Sequence, residues 1–122
     1  GYWKTHSEYG PAPYDATWAL VEPAGADSDF YLSGASYYEV LHTPTRGNAY
    51  FILAHQYIAA ILNQLGGADT SDIDGELAEA QAFFETYAPS DSLSREASSD
   101  AKDLAETLDD YNNGLIGPGH CG

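Results

Sequence analysis

The residues best suited to metal, redox or ring-binding chemistry lie at the two ends of the chain. It opens with Gly1-Tyr-Trp-Lys-Thr-His6 and closes with Gly117-Pro-Gly-His-Cys121, so aromatic, imidazole and thiol groups are concentrated in two short segments. Both segments are too irregular to form helix, and glycine and proline in the second favour a loop. We therefore expect any such chemistry at the ends rather than in the body of the chain.

Catalytic signatures are absent from the sequence. A single cysteine, Cys121, suits a free thiol, a metal ligand or a disulfide to a partner outside this segment, and the adjacent His120 is too close in sequence to act easily as its base. There is no Gly-x-Ser-x-Gly elbow, P-loop or His-Glu-x-x-His motif. With nineteen acidic residues, no carboxylate pair stands out as a glycosidase site. The sequence favours a non-enzymatic protein.

One acidic cluster invites a calcium interpretation. Asp69-Thr-Ser-Asp-Ile-Asp-Gly-Glu76 alternates oxygen ligands before a glycine, as an EF-hand loop does. With Gly75 at loop position 6, however, Thr70 occupies position 1 and Gln81 position 12, so both required carboxylates are missing. We interpret the cluster as acids in the first turn of a helix, where they complement its dipole.

Aromatic residues of the first eighteen positions have two interpretations. They could form an exposed surface for a sugar ring or a partner protein, or they could cover the central helix described below. The residues concerned are Tyr2, Trp3, Tyr9, Tyr14 and Trp18.

Composition predicts one globular, acidic domain. The 122 residues are 43% hydrophobic and carry a net charge of −15, which repels nucleic acid and anionic membrane surfaces. Such charge is best tolerated where salt screens it, so we expect a halophilic or marine, extracellular origin. The sequence contains no run of about 20 apolar residues, the length needed to span a membrane, and we recognise no signal peptide at its start.

The distribution of charge separates inside from outside. Residues 47–68 contain no charged residue, whereas thirteen of the nineteen acids fall between Asp69 and Asp110. The uncharged stretch predicts a central, buried helix over 48–65 that Gly66-Gly67 ends.

The acidic region predicts a helical hairpin over 71–88 and 92–112. Apolar residues step by three and four along each half, and Pro89 and Asn112-Asn-Gly114 end the two patterns. The periodic residues are Ile73, Leu77, Ala80, Phe84 and Tyr87 in the first half, and Leu93, Ala97, Ala101, Leu104, Leu108 and Tyr111 in the second.

The rest of the chain is less regular. Ser36-Tyr-Tyr-Glu39 fits a capping box and predicts a short helix over 36–43 that Thr43-Pro44 ends. Residues 1–35 predict an irregular aromatic wrap with one small hairpin around Phe30-Tyr-Leu32, and residues 113–122 a C-terminal loop. Together these elements predict one all-α domain.

Several motifs spread along nearly the whole chain resemble those of one family. They are Gly1-Tyr-Trp-Lys-Thr-His6, Tyr38-Glu-Val-Leu-His-Thr-Pro44, Arg46-Gly-Asn48, Leu53-Ala-His-Gln56, Ile58-Ala-Ala60, Leu62-Asn63 and Leu108-Asp-Asp-Tyr-Asn-Asn-Gly-Leu-Ile-Gly-Pro-Gly-His-Cys121. The chain thus resembles a small domain that recurs in secreted and surface proteins of bacteria and archaea. The resemblance implies export, two ends held close together, and a disulfide partner for Cys121 upstream of Gly1. It implies no particular reaction.

Three histidines, His6, His55 and His120, fall within the motifs that carry this resemblance. If the ends pack beside the central helix, their imidazoles could supply three nitrogen ligands to zinc or copper, with a fourth position open. The alternative for His55 is a neutral core side chain hydrogen-bonded to a backbone carbonyl.

Two functions follow from these residues. The first is a non-enzymatic extracellular or cell-surface module for assembly or ligand binding, with other protein segments, copies of itself or a carbohydrate as partners. The second is a small zinc- or copper-binding protein, which could be a metal-dependent hydrolase, using His6, His55 and His120.

Overall fold

The structure, a computed structural model, describes residues 16–21 and 25–112. Within these residues it contains four α-helices and no strand or sheet, which confirms the predicted all-α fold. Short 3-10 turns at Ala16–Leu20, Gly25–Asp27 and Ser71–Ile73 connect or precede the α-helices. The four are α1 (Tyr37–His42), α2 (Ala49–Leu65), α3 (Asp74–Thr86) and α4 (Arg95–Asn112).

Helix α1 begins with the predicted capping box. The Ser36 hydroxyl accepts a hydrogen bond from the Glu39 amide at 3.1 Å, and the Glu39 carboxylate accepts one from the Ser36 amide at 3.0 Å. The helix ends at His42, immediately before Thr43-Pro44. Two backbone donors at the start of α1 are therefore satisfied by side chains three residues apart.

Helix α2 is the central element, and it lies within the predicted 48–65. The Asn48 side chain caps its start by accepting from the Tyr50 amide at 2.8 Å. The helix contacts α1, α3, α4 and the 3-10 turn at Ala16–Leu20. Because it has neighbours on several sides, apolar residues are buried around much of its circumference, including Leu53, Ile58 and Leu62.

Helices α3 and α4 form the predicted acidic hairpin, although both begin later than expected. Residues 71–73 form a 3-10 turn before α3. Helix α4 begins at Arg95 rather than at 92, because the Ser94 hydroxyl accepts from the Ala97 amide at 3.0 Å and so caps the helix there. The most extensive helix–helix contact in the described part of the chain is between α4 and α2, and α3 also contacts α4.

A polar network joins the end of α4 to α2. The Asn112 amide group donates to the Gln56 backbone carbonyl at 3.1 Å and to its side-chain oxygen at 3.0 Å. Asn63, which is 2% exposed, donates to the Asn112 side-chain oxygen at 3.1 Å. These bonds favour one register of the two helices, since sliding either one would break hydrogen bonds between part-buried amide groups.

The hairpin predicted around Phe30-Tyr-Leu32 is reduced to a single isolated bridge between Asp29 and Ser36. The chain reverses within a few residues because Tyr31 and Gly34 adopt positive φ angles of 45° and 73°. The turn brings Phe30, which is fully buried, into the core.

Aromatic rings fill the space between this turn, α2 and α3. The Phe84 ring lies 4.8 Å from that of Phe30 and 5.2 Å from those of Tyr50 and Tyr57, measured between centroids. The hydroxyls of Tyr31 and Tyr57 lie 2.7 Å apart and hydrogen-bond. This bond and the ring contacts hold Tyr31 in its left-handed backbone conformation, which a tyrosine seldom adopts.

Candidate functional site

His55 joins two helices. Its Nε2 lies 2.9 Å from the backbone carbonyl of Val40, so this nitrogen carries the proton and donates it to the C-terminal part of α1. The side chain is half-buried on α2. This geometry matches the structural alternative predicted for His55, and a metal bound at Nε2 would have to displace the Val40 carbonyl.

The other two residues of the predicted metal site, His6 and His120, lie outside the described residues, as does Cys121. Their convergence on His55 stays a prediction. Within residues 16–21 and 25–112, no group of three or more histidine, cysteine or acidic side chains is arranged to hold a metal ion.

His42, the remaining histidine, acts locally at the end of α1. Its Nδ1 lies 2.9 Å from the Tyr38 carbonyl, and its ring lies against the Tyr38 ring at 4.0 Å between centroids. The imidazole thus satisfies a carbonyl in the last turn of a helix, where such a donor is favourable.

Trp18 does not belong to an exposed aromatic surface. It is fully buried, with 0% of its surface accessible, because the 3-10 turn that carries it packs against α2. The structure therefore corrects the binding-surface interpretation for Trp18 in favour of the covering role. Tyr2, Trp3, Tyr9 and Tyr14 lie outside the described residues.

The acidic cluster 69–76 spans the residues just before α3 and its first turn. The Asp69 carboxylate accepts from the Ser71 amide at 2.9 Å, and this bond holds the pKa of the carboxyl below its usual value. Thr70 accepts from the Gln64 side chain at 2.9 Å and donates to Asp74 at 3.1 Å. Asp69 and Asp74 thus bond to groups just before α3, and Asp74 and Glu76 lie in its first turn, the position that the sequence predicts for these acids.

A groove of about 670 Å³ runs between α3 and α4 on the outside of the hairpin. We call it the acidic groove, because two carboxylates from each helix line it together with apolar side chains; these carboxylates are called the rim and the remaining lining the floor. The rim consists of Glu76, Glu79, Asp100 and Asp103, and the floor of Ala82, Phe83, Thr86, Tyr87, Ala97, Ala101, Leu104 and Thr107.

The floor is anchored to the core but remains partly open to solvent. Phe83 lies edge-on to Phe84 at 5.4 Å and 6.0 Å from Tyr50, so its ring is continuous with the aromatic core. Its other neighbour, Tyr87, lies at 5.0 Å. Phe83, Tyr87 and Leu104 are each half-buried, so their remaining apolar surface faces the groove.

The rim carboxylates are not neutralised within the described part of the chain. None of the four forms an ion pair there. Helix α3 carries four acidic residues and no basic one, and α4 carries six acidic residues against Arg95 and Lys102. These two bases are exposed and do not line the groove. The groove therefore presents a concentrated negative potential above apolar surface.

A smaller pocket of about 310 Å³ lies beside the turn at residues 29–36. Asp27, Asp29 and Glu39 line it together with the Tyr38 side chain. The Glu39 carboxylate is already bound to the Ser36 amide as part of the capping box. The capping box therefore accounts for the position of the Glu39 side chain without a ligand in this pocket.

The sequence predicted the acidic hairpin but not the groove within it. One signal was available, since Phe83 and Phe84 are adjacent on a helix and neighbouring side chains there point about 100° apart. If Phe84 faces the core, Phe83 must lie at the edge of the apolar stripe.

No family model matches this chain, and neither the curated proteins nor the solved structures compared with it include a significant match.

Proposed function

We propose that this protein is a non-enzymatic binding module of the cell exterior, and that its acidic groove receives a positively charged segment of a partner protein. The observation that carries the proposal is the pairing, in one concave site, of partly exposed apolar surface with carboxylates that form no ion pair among residues 16–21 and 25–112. The apolar floor residues offer surface that a ligand can bury, and the rim carboxylates favour a ligand of positive charge.

Charge decides among the partner classes. A protein with a net charge of −15 repels nucleic acid and anionic membranes, and it also repels a second copy of itself. Within the described residues, no helix is both long and apolar enough to cross a bilayer. A basic protein segment is favoured because it would gain from the same field that disfavours the other partners.

The extracellular setting is supported by two features of the sequence. The resemblance to a domain of secreted and surface proteins implies export. The excess of acids, concentrated on α3 and α4, suits a saline medium in which mobile ions screen their repulsion.

Binding of a simple cationic peptide tests this function. The probe is a peptide of leucine and lysine only, titrated calorimetrically at low ionic strength into the wild type and two double variants. Glu79→Gln/Asp103→Asn removes two rim charges, whereas Glu96→Gln/Glu106→Gln removes two exposed charges of α4 that do not line the groove.

We expect saturable binding to the wild type and roughly 2- to 30-fold weaker binding to the rim variant, because each exposed charge pair contributes on the order of 0.2–1 kcal/mol. The matched variant should bind nearly as the wild type does. Equal weakening by both variants would reduce the effect to net charge, and no weakening by the rim variant would refute the groove as the binding site.

A further inference from the structure

We propose that the segment received by the acidic groove is a single amphipathic α-helix of about three turns, with an apolar stripe flanked on both sides by lysine or arginine. This inference rests on the proposed function and specifies the conformation and the charge pattern of the partner segment.

The length of the groove sets the length of its occupant. Along α3 the lining runs from Glu76 to Thr86, with Tyr87 just beyond the end of the helix, and along α4 from Ala97 to Thr107. The two helices are antiparallel, since the Tyr111 hydroxyl near the end of α4 donates to the Asp69 carbonyl just before α3. At 1.5 Å per residue each helical wall is roughly 15 Å long, which equals about three helical turns.

The groove favours a helix over an extended chain because its walls are helical. Backbone groups within α3 and α4 are bonded inside each helix, and no strand edge lies in the described part of the chain. An extended peptide over Phe83 and Leu104 would find no backbone partners there, whereas a helix satisfies its own. Burial against the apolar floor would therefore leave fewer polar groups unpaired in a helical ligand.

The rim fixes where the charges of the partner must lie. Glu76 and Glu79 are three residues apart on α3, and Asp100 and Asp103 are three apart on α4, so each pair lies along one side of its helix. Both walls of the groove therefore carry carboxylates beside the apolar floor. A complementary helix carries apolar residues at i, i+3, i+4 and i+7, with cationic residues on both flanks.

Three peptides of about 14 residues separate this inference from the proposed function, a length at which an isolated helix is marginal in water. The first two contain only leucine and lysine in identical composition, and the third differs from the first at one residue. The first has the amphipathic helical order, the second alternates leucine and lysine, and the third has the helical order with one central leucine replaced by proline. Affinities are measured for the wild type, Glu79→Gln/Asp103→Asn and Glu96→Gln/Glu106→Gln, and circular dichroism follows the bound peptide.

We expect the helical-order peptide to bind at least tenfold more tightly than the other two and to gain helical signal on binding. Its affinity should be lower for Glu79→Gln/Asp103→Asn than for the wild type, and nearly unchanged for Glu96→Gln/Glu106→Gln. If the alternating peptide binds as tightly and remains sensitive to the rim variant, the groove binds cations but the helical occupant is wrong. If no peptide responds to the rim variant, the proposed function itself fails. Concentration-dependent dimers in gel filtration that compete with the peptide would instead identify a second copy as the occupant.

Discussion

The core around α2 and the acidic hairpin differ in the residues from which they are built. Helix α2 has no charged residue, and its neighbours bury Phe30, Tyr57 and Phe84 against it. Helices α3 and α4 bury only a narrow stripe and present ten carboxylates outward. The difference suggests that shape and hydrogen bonding in the core determine stability, while charge on the hairpin determines what the protein binds.

The largest effect should come from the centre of the aromatic core. Phe84→Ala removes a fully buried ring, and we expect a loss of about 3–5 kcal/mol in the free energy of unfolding, measured in urea. Leu32→Ala is the control, because Leu32 is 53% exposed and should change stability by no more than about 0.5 kcal/mol. Similar losses for both variants would mean that the ring cluster does not hold the fold.

His55→Ala should destabilise the protein by about 1–3 kcal/mol, because the Val40 carbonyl loses its donor. His42→Ala, at an exposed histidine that also bonds a carbonyl, should cost less. Repeating both measurements with a chelator separates the two interpretations of His55. If the chelator leaves the stability of the wild type unchanged, the effect of His55→Ala comes from the lost hydrogen bond. If the chelator destabilises the wild type as much as His55→Ala does, the result supports the predicted zinc or copper site.

Tyr50→Phe should stabilise the protein by about 1 kcal/mol. The Tyr50 hydroxyl is buried and has no hydrogen-bond partner among the described residues, so its removal relieves an uncompensated desolvation cost. Ser33→Ala, at a half-buried hydroxyl that donates to the Ala35 carbonyl, should not stabilise. A destabilised Tyr50→Phe would show that the hydroxyl has a partner in solution.

The same residue predicts a dependence on alkaline pH. Burial raises the pKa of Tyr50 to about 12, above the value of about 10 expected in the unfolded chain. The folded state thus retains its proton more strongly, and the corresponding stability is complete below about pH 10 and disappears as the pH rises towards 12. Thermal unfolding across this range should show a shallower decline for Tyr50→Phe than for the wild type, and parallel curves would contradict the assignment.

Salt should have the smallest effect on stability, and it should act through the hairpin. Screening the repulsion among its acids is expected to raise the melting temperature by a few degrees between low and molar sodium chloride. The rise should be smaller in Glu96→Gln/Glu106→Gln, which starts with fewer charges. A flat or falling response would indicate that bound cations or specific partners already compensate the acids, and would remove the argument for a saline habitat.

Local signals account for what the sequence predicts well. The capping box of Ser36 and Glu39 and the Gly66-Gly67 stop each act within four residues, so the bounds of α1 and the end of α2 could be inferred directly. The predicted start of α4 at 92 was wrong because Ser92 and Ser94 are both suitable capping residues, and the structure uses Ser94.

Features that depend on distant contacts could not be predicted in this way. Tyr31 has a positive φ angle that its own sequence disfavours, and a hydroxyl 26 residues away helps to hold it. The acidic groove likewise depends on the angle at which α3 meets α4, which side chains on several helices determine together. Burial of Trp18 depends on where its turn packs against α2, so composition alone left two interpretations open.

The separation between a stabilising core and a binding hairpin is tested most directly by measuring stability and affinity on the same variant. Glu79→Gln/Asp103→Asn should unfold at the same or a higher temperature than the wild type at low salt, because two mutually repelling charges have been removed. Its affinity for the helical-order leucine–lysine peptide should fall in the same buffer. A lower melting temperature with unchanged peptide affinity would contradict the account, because the rim carboxylates would then serve the fold rather than a partner.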